Sequence, residues 1–514
     1  MTRRKLPLGV QTFAKIRSDE YYYVDKTSLA HLLINEGTHY FLSRPRRFGK
    51  SLFLDTLKEL FEGNEALFKG LDIHDQWDWS VKYPVLRFSF GSGNYRSAGS
   101  LEAELDKQLL HLEQKFNITP QFDHAGGRFT DLLVQLNKQW QLPVVVLVDE
   151  YDKPMLDAIN TPDLARENRD FLSGFYGTVK DNDALVRFSF FTGVSKFSKV
   201  NIFSGLNNLT DITLDKRYST LCGYTNHDID TVFESELFGL DREQLQEWYN
   251  GYNWLGEGVY NPYDVLKLFD TREFDNYWFE TGTPTFLIDL LFQRQVSSIK
   301  LDSMLSSSAM LSSFDVNHIT HEALLFQSGY LTIHEVKKVG SQTYYRLGYP
   351  NKEVYQSLNE SLLSQLVQDQ SAQVEQGFKL FSLLQANDLA GLKDLFHAFY
   401  ASIPYNWYSN NNIQQYEGYY ASVFYSYFAA LGLDITVEDA TNHGRIDMTL
   451  KFQQRVYIFE FKVVELVPDG SALQQIKDKA YAEKYRELGQ QMYLIGVEFS
   501  KEDRNIVAFE VEEA

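Results

Sequence analysis

Arg44-Pro45-Arg46-Arg47-Phe48-Gly49-Lys50-Ser51 follows directly on the apolar stretch His39 to Ser43 and runs into Leu52, where apolar residues begin to recur at helical spacing. The order strand, loop, Gly-Lys-Ser, helix is what phosphate binding needs. Backbone N–H groups at a helix N-terminus favour an anion, Lys50 reaches the β and γ phosphates, and the Ser51 hydroxyl ligates Mg²⁺. Pro45, Arg46, Arg47, Phe48 and Gly49 complete the candidate nucleotide-binding loop. Arg44 stands where the phosphate-loop pattern has its first glycine.

A second element supports this reading. Val144-Val145-Val146-Leu147-Val148 is a continuous apolar run suited to a central strand, and it ends in Asp149-Glu150. In phosphate-loop enzymes an aspartate here holds Mg²⁺ and a following glutamate polarises the attacking water. The plainer alternative is a helix N-cap with a solvated Asp-Glu pair.

Outward from these two segments, residues 38 to 227 alternate apolar strands (His39 to Ser43, Pro84 to Phe90, Val144 to Val148, Val186 to Gly193) with amphipathic helices, which predicts an α/β core with a parallel sheet. Residues 228 to 385 read as a mostly helical domain, with segments such as Leu237 to Tyr252 and Val354 to Leu366. From 386 to 514 the pattern is helix, two alternating strands, a charged helix and a last strand, a small α/β unit. Three domains, 1–227, 228–385 and 386–514, are therefore expected.

Composition narrows the class. A net charge of -20 speaks against indiscriminate coating of nucleic acid, so any such contact is local. The single cysteine, Cys222, forms no internal disulfide, and the basic first residues lead into no signal-like apolar stretch, which points to the cytoplasm. Apolar runs such as Pro143 to Val148 fall far short of the roughly 20 residues that span a bilayer, so no membrane is expected. An oligomer is left open.

Near the C-terminus, Arg445 to Leu450 and Val456 to Val463 each alternate apolar and polar residues as strands do. Period two puts Glu460 and Lys462 on one face and Phe459, Phe461 and Val463 on the other. A hairpin centred on Gln453-Gln454 sets Asp447 directly opposite Glu460, with Cβ atoms about 5 Å apart. Facing carboxylates repel unless a cation separates them, and a divalent metal is the natural occupant. Gln-Gln is poor turn chemistry, and a slip of one residue would part the pair. The alternative is an exposed hairpin with an acid facing a lysine.

Arg44 to Ser51, Asp149-Glu150-Tyr151-Asp152, Phe191-Thr192-Gly193-Val194-Ser195 and Tyr249 to Tyr263 resemble the bacterial and archaeal AAA-ATPase-like family over most of residues 5 to 300. The resemblance implies an ATP-binding core in which Thr192 or Ser195 senses the γ-phosphate, and a loop that commonly lacks its first glycine. Arg46 and Arg47 become candidates for phosphate or partner contacts, against the alternative of a solvated basic edge. Two further family-like stretches, Tyr23 to Thr27 and Trp278 to Pro284, carry no derivable chemistry beyond an N-cap and a turn.

Asp447 followed by Glu460-Phe461-Lys462 resembles the PD-(D/E)XK nuclease superfamily over residues 405 to 508, a restriction-endonuclease-like α/β fold. That resemblance implies Mg²⁺ or Mn²⁺ on Asp447, Glu460 and the Phe461 carbonyl, with Lys462 activating the attacking water. Glu417 would be the acid of the preceding helix, and Gln475 with Tyr481 the pair on the DNA side; Ile446 replaces the motif's proline. Lys477, Lys479, Lys484 and Arg486 either grip a phosphate backbone or, beside Glu483 and Glu487, form a solvated face. Taken together, ATP binding or hydrolysis controlling phosphodiester cleavage is expected, with defence or DNA maintenance as an extension by domain analogy. The rival is an ATP-switched scaffold that binds nucleic acid or a protein without cutting.

Overall fold

In a computed structural model, residues 3–196, 208–282, 287–288, 290–291, 296, 298–311, 320–366, 370–402, 417–441 and 443–514 are described. They fall into two compact units, Met1–Gly282 with Met304–Asn351, and Thr283–Ser303 with Lys352–Ala514. The boundaries expected near 227 and 385 do not coincide with the edges of these units. The physical reason is a shared core: Tyr22 and Val24 pack with Ile229, Phe233, Leu245 and Phe269, so residues 228 to 282 complete the N-terminal unit.

The first unit is built on five parallel strands, β1 (His39–Ser43), β2 (Val85–Ser89), β3 (Val144–Asp149), β4 (Val186–Gly193) and β5 (Thr210–Asp211), in the order β2-β3-β4-β1-β5. All residues of β1 and β3 are buried, as the unbroken apolar runs require of strands covered on both faces. Strand β4 lies between the loop-bearing β1 and the Asp-Glu-bearing β3. Residues 304 to 348 add a feature the sequence reading placed among helices: β6 (Met304–Ser307), β7 (Thr332–Val339) and β8 (Gln342–Gly348), an antiparallel sheet in the order β6-β8-β7. Most of β7 is exposed, and its apolar residues Ile333, Val336 and Val339 recur every third position, so no alternation betrays it.

The second unit holds a mixed sheet of β9 (Asp434–Ala440), β10 (Arg445–Phe452), β11 (Arg455–Val464), β12 (Gln491–Ser500) and β13 (Ile506–Glu513), in the order β13-β12-β11-β10-β9. Helices Leu389–Ser402 and Glu417–Ala430 belong to one core, where Phe396 and Phe424 meet Phe459, Phe461 and Phe499. Helix Ser471–Asp478 and the 3₁₀ segment Tyr481–Leu488 cover the other face over Ile446, Val456, Ile458 and Leu494. The expected single charged helix is thus two, broken at Ala480, whose φ is 48°. Among the described residues no helix is long and apolar enough to cross a membrane.

The β10–β11 hairpin has the expected register, pairing Met448 with Phe459 and Phe452 with Arg455 around Gln453-Gln454. Both glutamines take left-handed backbone, φ 46° and 62°, as the tight turn that matches strand twist demands. Unbranched residues without a local hydrogen-bonding side chain adopt this region at a cost of about 1–2 kcal/mol each. Replacing Gln453-Gln454 by Asn-Gly is therefore expected to stabilise the C-terminal unit by about 1 kcal/mol or more, read as a raised thermal midpoint; an unchanged or lowered midpoint would refute the turn assignment.

Candidate functional site

At the C-terminal ends of β1 and β3 lies a cavity of about 510 Å³, walled by Arg46, Arg47, Phe48, Gly49, Lys50 and Ser51 on one side and Glu150 and Asp152 on another. Gly49, at φ 93°, turns the chain into helix Lys50–Phe61, whose first N–H groups open onto the cavity's loop. Lys50 is only 7% exposed. Its Nζ donates to the carbonyls of Arg44 and Pro45, each at 2.9 Å. Burial pulls the ammonium below the ordinary lysine value, while the Glu150 and Asp149 carboxylates pull it back up.

Glu150 sits at φ 51°, just past the end of β3. Burial pushes its carboxyl above the usual glutamate value, and Lys50 opposes that shift. A carboxyl raised in this way is better matched to accepting a proton near neutral pH. Asp149 is buried; among the described residues its Oδ1 has no hydrogen-bond partner, and its Oδ2 lies 3.8 Å from Arg87. An oxygen donor held like this fits a hard cation, as does the Ser51 hydroxyl.

Thr192 lies near the end of β4, beside the Asp-Glu-bearing β3. Its hydroxyl donates to the Leu42 carbonyl at 3.0 Å, inside the sheet and fully buried, and it does not line the cavity. Because β4 is a central strand, that side chain is spent on its neighbour β1. Asp152 ties this end of β4 to the segment after β3: it accepts from the Ser195 N–H at 2.6 Å, the Ser195 hydroxyl at 2.5 Å and the Val194 N–H at 3.1 Å. Burial raises its pKa and the Ser195 hydrogen bonds counter the rise. Gly193 makes room for it, since a Cβ there would meet Asp152 Oδ1 at 2.3 Å.

In the second unit, Asp447 occupies the hairpin position next to the Met448–Phe459 pair, and its Oδ2 accepts the Phe461 N–H at 2.8 Å. Glu460 is 1% exposed; its Oε1 accepts from Gln475 and lies 3.4 Å from Lys462 Nζ. The Tyr481 hydroxyl donates to the Arg445 carbonyl at 2.7 Å. Burial raises this phenol's pKa, Glu460 and Asp447 add to the rise, and Gln475 and Lys462 oppose it, so the five side chains share one electrostatic neighbourhood. On β9, Glu438 has φ 49° where the ladder skips the position beside Asp447.

Two carboxylates, with the Phe461 carbonyl nearby in sequence, are the hard oxygen donors a divalent cation prefers. Among the described residues no group of three or more His, Cys, Asp or Glu is arranged to hold a metal. Glu417 is the first residue of helix Glu417–Ala430, and its side chain lies outside the described residues. Of the basic residues that were candidates for phosphate contact, Lys477 pairs with Glu512 at 2.6 Å, Lys484 with Asp439, and Arg486 lies 4.0 Å from Glu483.

Two residues missed in the sequence seat the helix that carries Gln475. Glu498, buried on β12, accepts from the N–H groups of Asp469 at 2.9 Å and Ala472 at 3.2 Å, so it caps helix Ser471–Asp478 from the sheet. Gly496, paired with Glu460 across the ladder, lets that helix approach: a Cβ would stand 2.4 Å from Leu473 N. Neither carries a local motif, because both act through a segment more than twenty residues away.

The two sites define an ATPase-type phosphate-loop unit followed by a nuclease-type unit. A family described as predicted AAA-ATPases matches residues 7–203, and the PD-(D/E)XK nuclease superfamily matches residues 415–509. The chain is 59% identical over 513 residues to an uncharacterized protein in the vnfD 5' region of Azotobacter chroococcum mcd 1, covering 100% of this chain and 99% of that one. The chain therefore belongs to the AAA-ATPase-like family and carries a C-terminal PD-(D/E)XK nuclease superfamily domain.

Because the contact at Gly496 is with backbone, relief requires moving the helix. Gly496→Ala is expected to destabilise the protein by about 1–3 kcal/mol, measured by chemical denaturation; wild-type stability would mean the helix is not seated on this strand.

Proposed function

We propose that this chain binds and hydrolyses ATP and thereby controls metal-dependent phosphodiester cleavage by its C-terminal domain. The observation that carries the reading is the convergence of Asp447, Glu460, Lys462, Gln475 and Tyr481 around one point of the β10–β11 hairpin. In the first unit, Lys50 binds phosphate, Ser51 and Asp149 hold the nucleotide's Mg²⁺, and Glu150 takes the proton of the attacking water. Arg46 and Arg47 supply further positive charge at the cavity rim. In the second unit Asp447, Glu460 and the Phe461 carbonyl hold Mg²⁺ or Mn²⁺; when bound, that ion supplies positive charge against the phosphate and acidifies water. Lys462 orients the water and offsets developing negative charge, while Gln475 fixes the Glu460 carboxylate. The substrate is nucleic acid, contacted locally, and the compartment is the cytoplasm, in keeping with a single buried thiol. Defence against foreign nucleic acid or DNA maintenance is the setting such a device suits.

The second reading, a scaffold that binds without cutting, draws on the pairing of Lys477, Lys484 and Arg486 with acids, which ties up three of the four basic residues named on this face. Incubating a plasmid with the purified protein and Mg²⁺ or Mn²⁺ separates the two. Cleavage by the parent that disappears in Asp447→Ala, with ATP binding retained, supports the nuclease; equal cleavage by both preparations rules out this centre, and none by either supports the scaffold.

For the ATP site, Lys50→Ala is expected to abolish tight ATP binding. Glu150→Gln should bind ATP as the parent does and lose hydrolysis by about 10²-fold or more, because only Glu150 acts on the water. Parent-like hydrolysis in both variants would show that the site is wrongly placed.

A further inference from the structure

Arg44, the departure from the phosphate-loop pattern, is fully buried. A buried guanidinium is costly unless its donors are satisfied. Burial pushes its pKa down to about 10, and no ion pair of Arg44 occurs among the described residues. Carbonyl dipoles and a ring face hold its two Nη groups, while among the described residues the buried Nε has no hydrogen-bond partner. Nη1 donates to the carbonyls of Ser43 at 2.8 Å and Thr213 at 2.9 Å, and Nη2 to that of Tyr218 at 3.2 Å. The guanidinium lies over Trp254, 4.1 Å from the ring centre. Trp254 also meets Phe48 of the loop edge-on at 5.4 Å. One tryptophan thus touches the loop at two points, Arg44 and Phe48, while the Arg44 carbonyl accepts the Lys50 ammonium.

A loop that must present its N–H groups to phosphate binds more tightly when its shape is fixed beforehand, since less freedom is lost on binding. We propose that Arg44 and Trp254 are positioning residues for nucleotide binding, bolting the phosphate loop from behind so that Lys50 and the loop N–H groups meet the phosphates already ordered. The inference rests on the ATP-site reading above. It gives a role to the segment from Tyr249 to Tyr263, which contains Trp254 and touches the loop from outside the phosphate motif.

The test is equilibrium binding of fluorescent ATP and ADP analogues, with Mg²⁺, to the full chain, with thermal midpoints measured alongside. Arg44→Met and Trp254→Leu are each expected to weaken both nucleotides about tenfold. The double variant should lose no more than either single one, because the two groups act as a pair. Trp254→Phe, which keeps a ring face, should recover most of the affinity. Should Arg44→Met not fold, Arg44→Lys, which keeps the charge and loses the fork, is expected to weaken binding as well. Parent affinity in folded variants, or losses that simply add in the double variant, overturns the proposal while the ATP site stands. A parent protein that binds neither nucleotide, like Lys50→Ala, overturns the ATP-site reading and this inference with it.

Discussion

A strand buried on both faces can place charge only at its ends. Val144 to Val148 is fully inaccessible between β2 and β4, so Asp149 and Glu150 emerge together at one edge of the sheet, beside the loop that leaves β1. The same edge receives the N-terminus of helix Lys50–Phe61 and the buried ammonium of Lys50. Carboxylates and an ammonium brought so close in an apolar wall shift one another, and the directions seen at Lys50 and Glu150 are those of partly desolvated charges that need each other. Everything assigned to the first unit depends on that burial.

The C-terminal unit solves the same problem with a hairpin. Aromatic residues on one face of β11 commit Phe459 and Phe461 to a core, and alternation then turns Glu460 and Lys462 toward helix Ser471–Asp478. Glu460 remains buried there because Gln475 and Lys462 meet it, and Asp447 remains in place because the Phe461 N–H meets it. Glu498 and Gly496 fix the helix that delivers Gln475.

Much of this was legible in the sequence where a single segment carries the signal. Strands β1, β3 and β4 announce themselves as apolar runs, and the register of β10 with β11 follows from centring the hairpin on Gln453-Gln454, although Gln-Gln is poor turn chemistry. The exposed β7 escaped because a strand solvated on most of its length has no apolar period to read, and the edge strands β9 and β13 escaped because their alternation is short and only half buried. Contacts between distant segments were equally silent. Trp278, read as part of a stretch without chemistry, donates its ring N–H to the Arg46 carbonyl at 3.1 Å, 232 residues away. The contact of the Thr192 hydroxyl with Leu42 was silent for the same reason, since it depends on which strand lies beside β4.

Control of the nuclease site by the nucleotide site is the proposal on which both halves of the chain meet. The most direct measurement is the cleavage rate of a labelled nucleic acid by the full chain in Mn²⁺ as ATP is titrated, for the parent and for Lys50→Ala. The account predicts a parent rate that changes with ATP and saturates as the nucleotide site fills, and a Lys50→Ala rate that ignores ATP. A parent rate independent of ATP, or an ATP response that survives in Lys50→Ala, would contradict it.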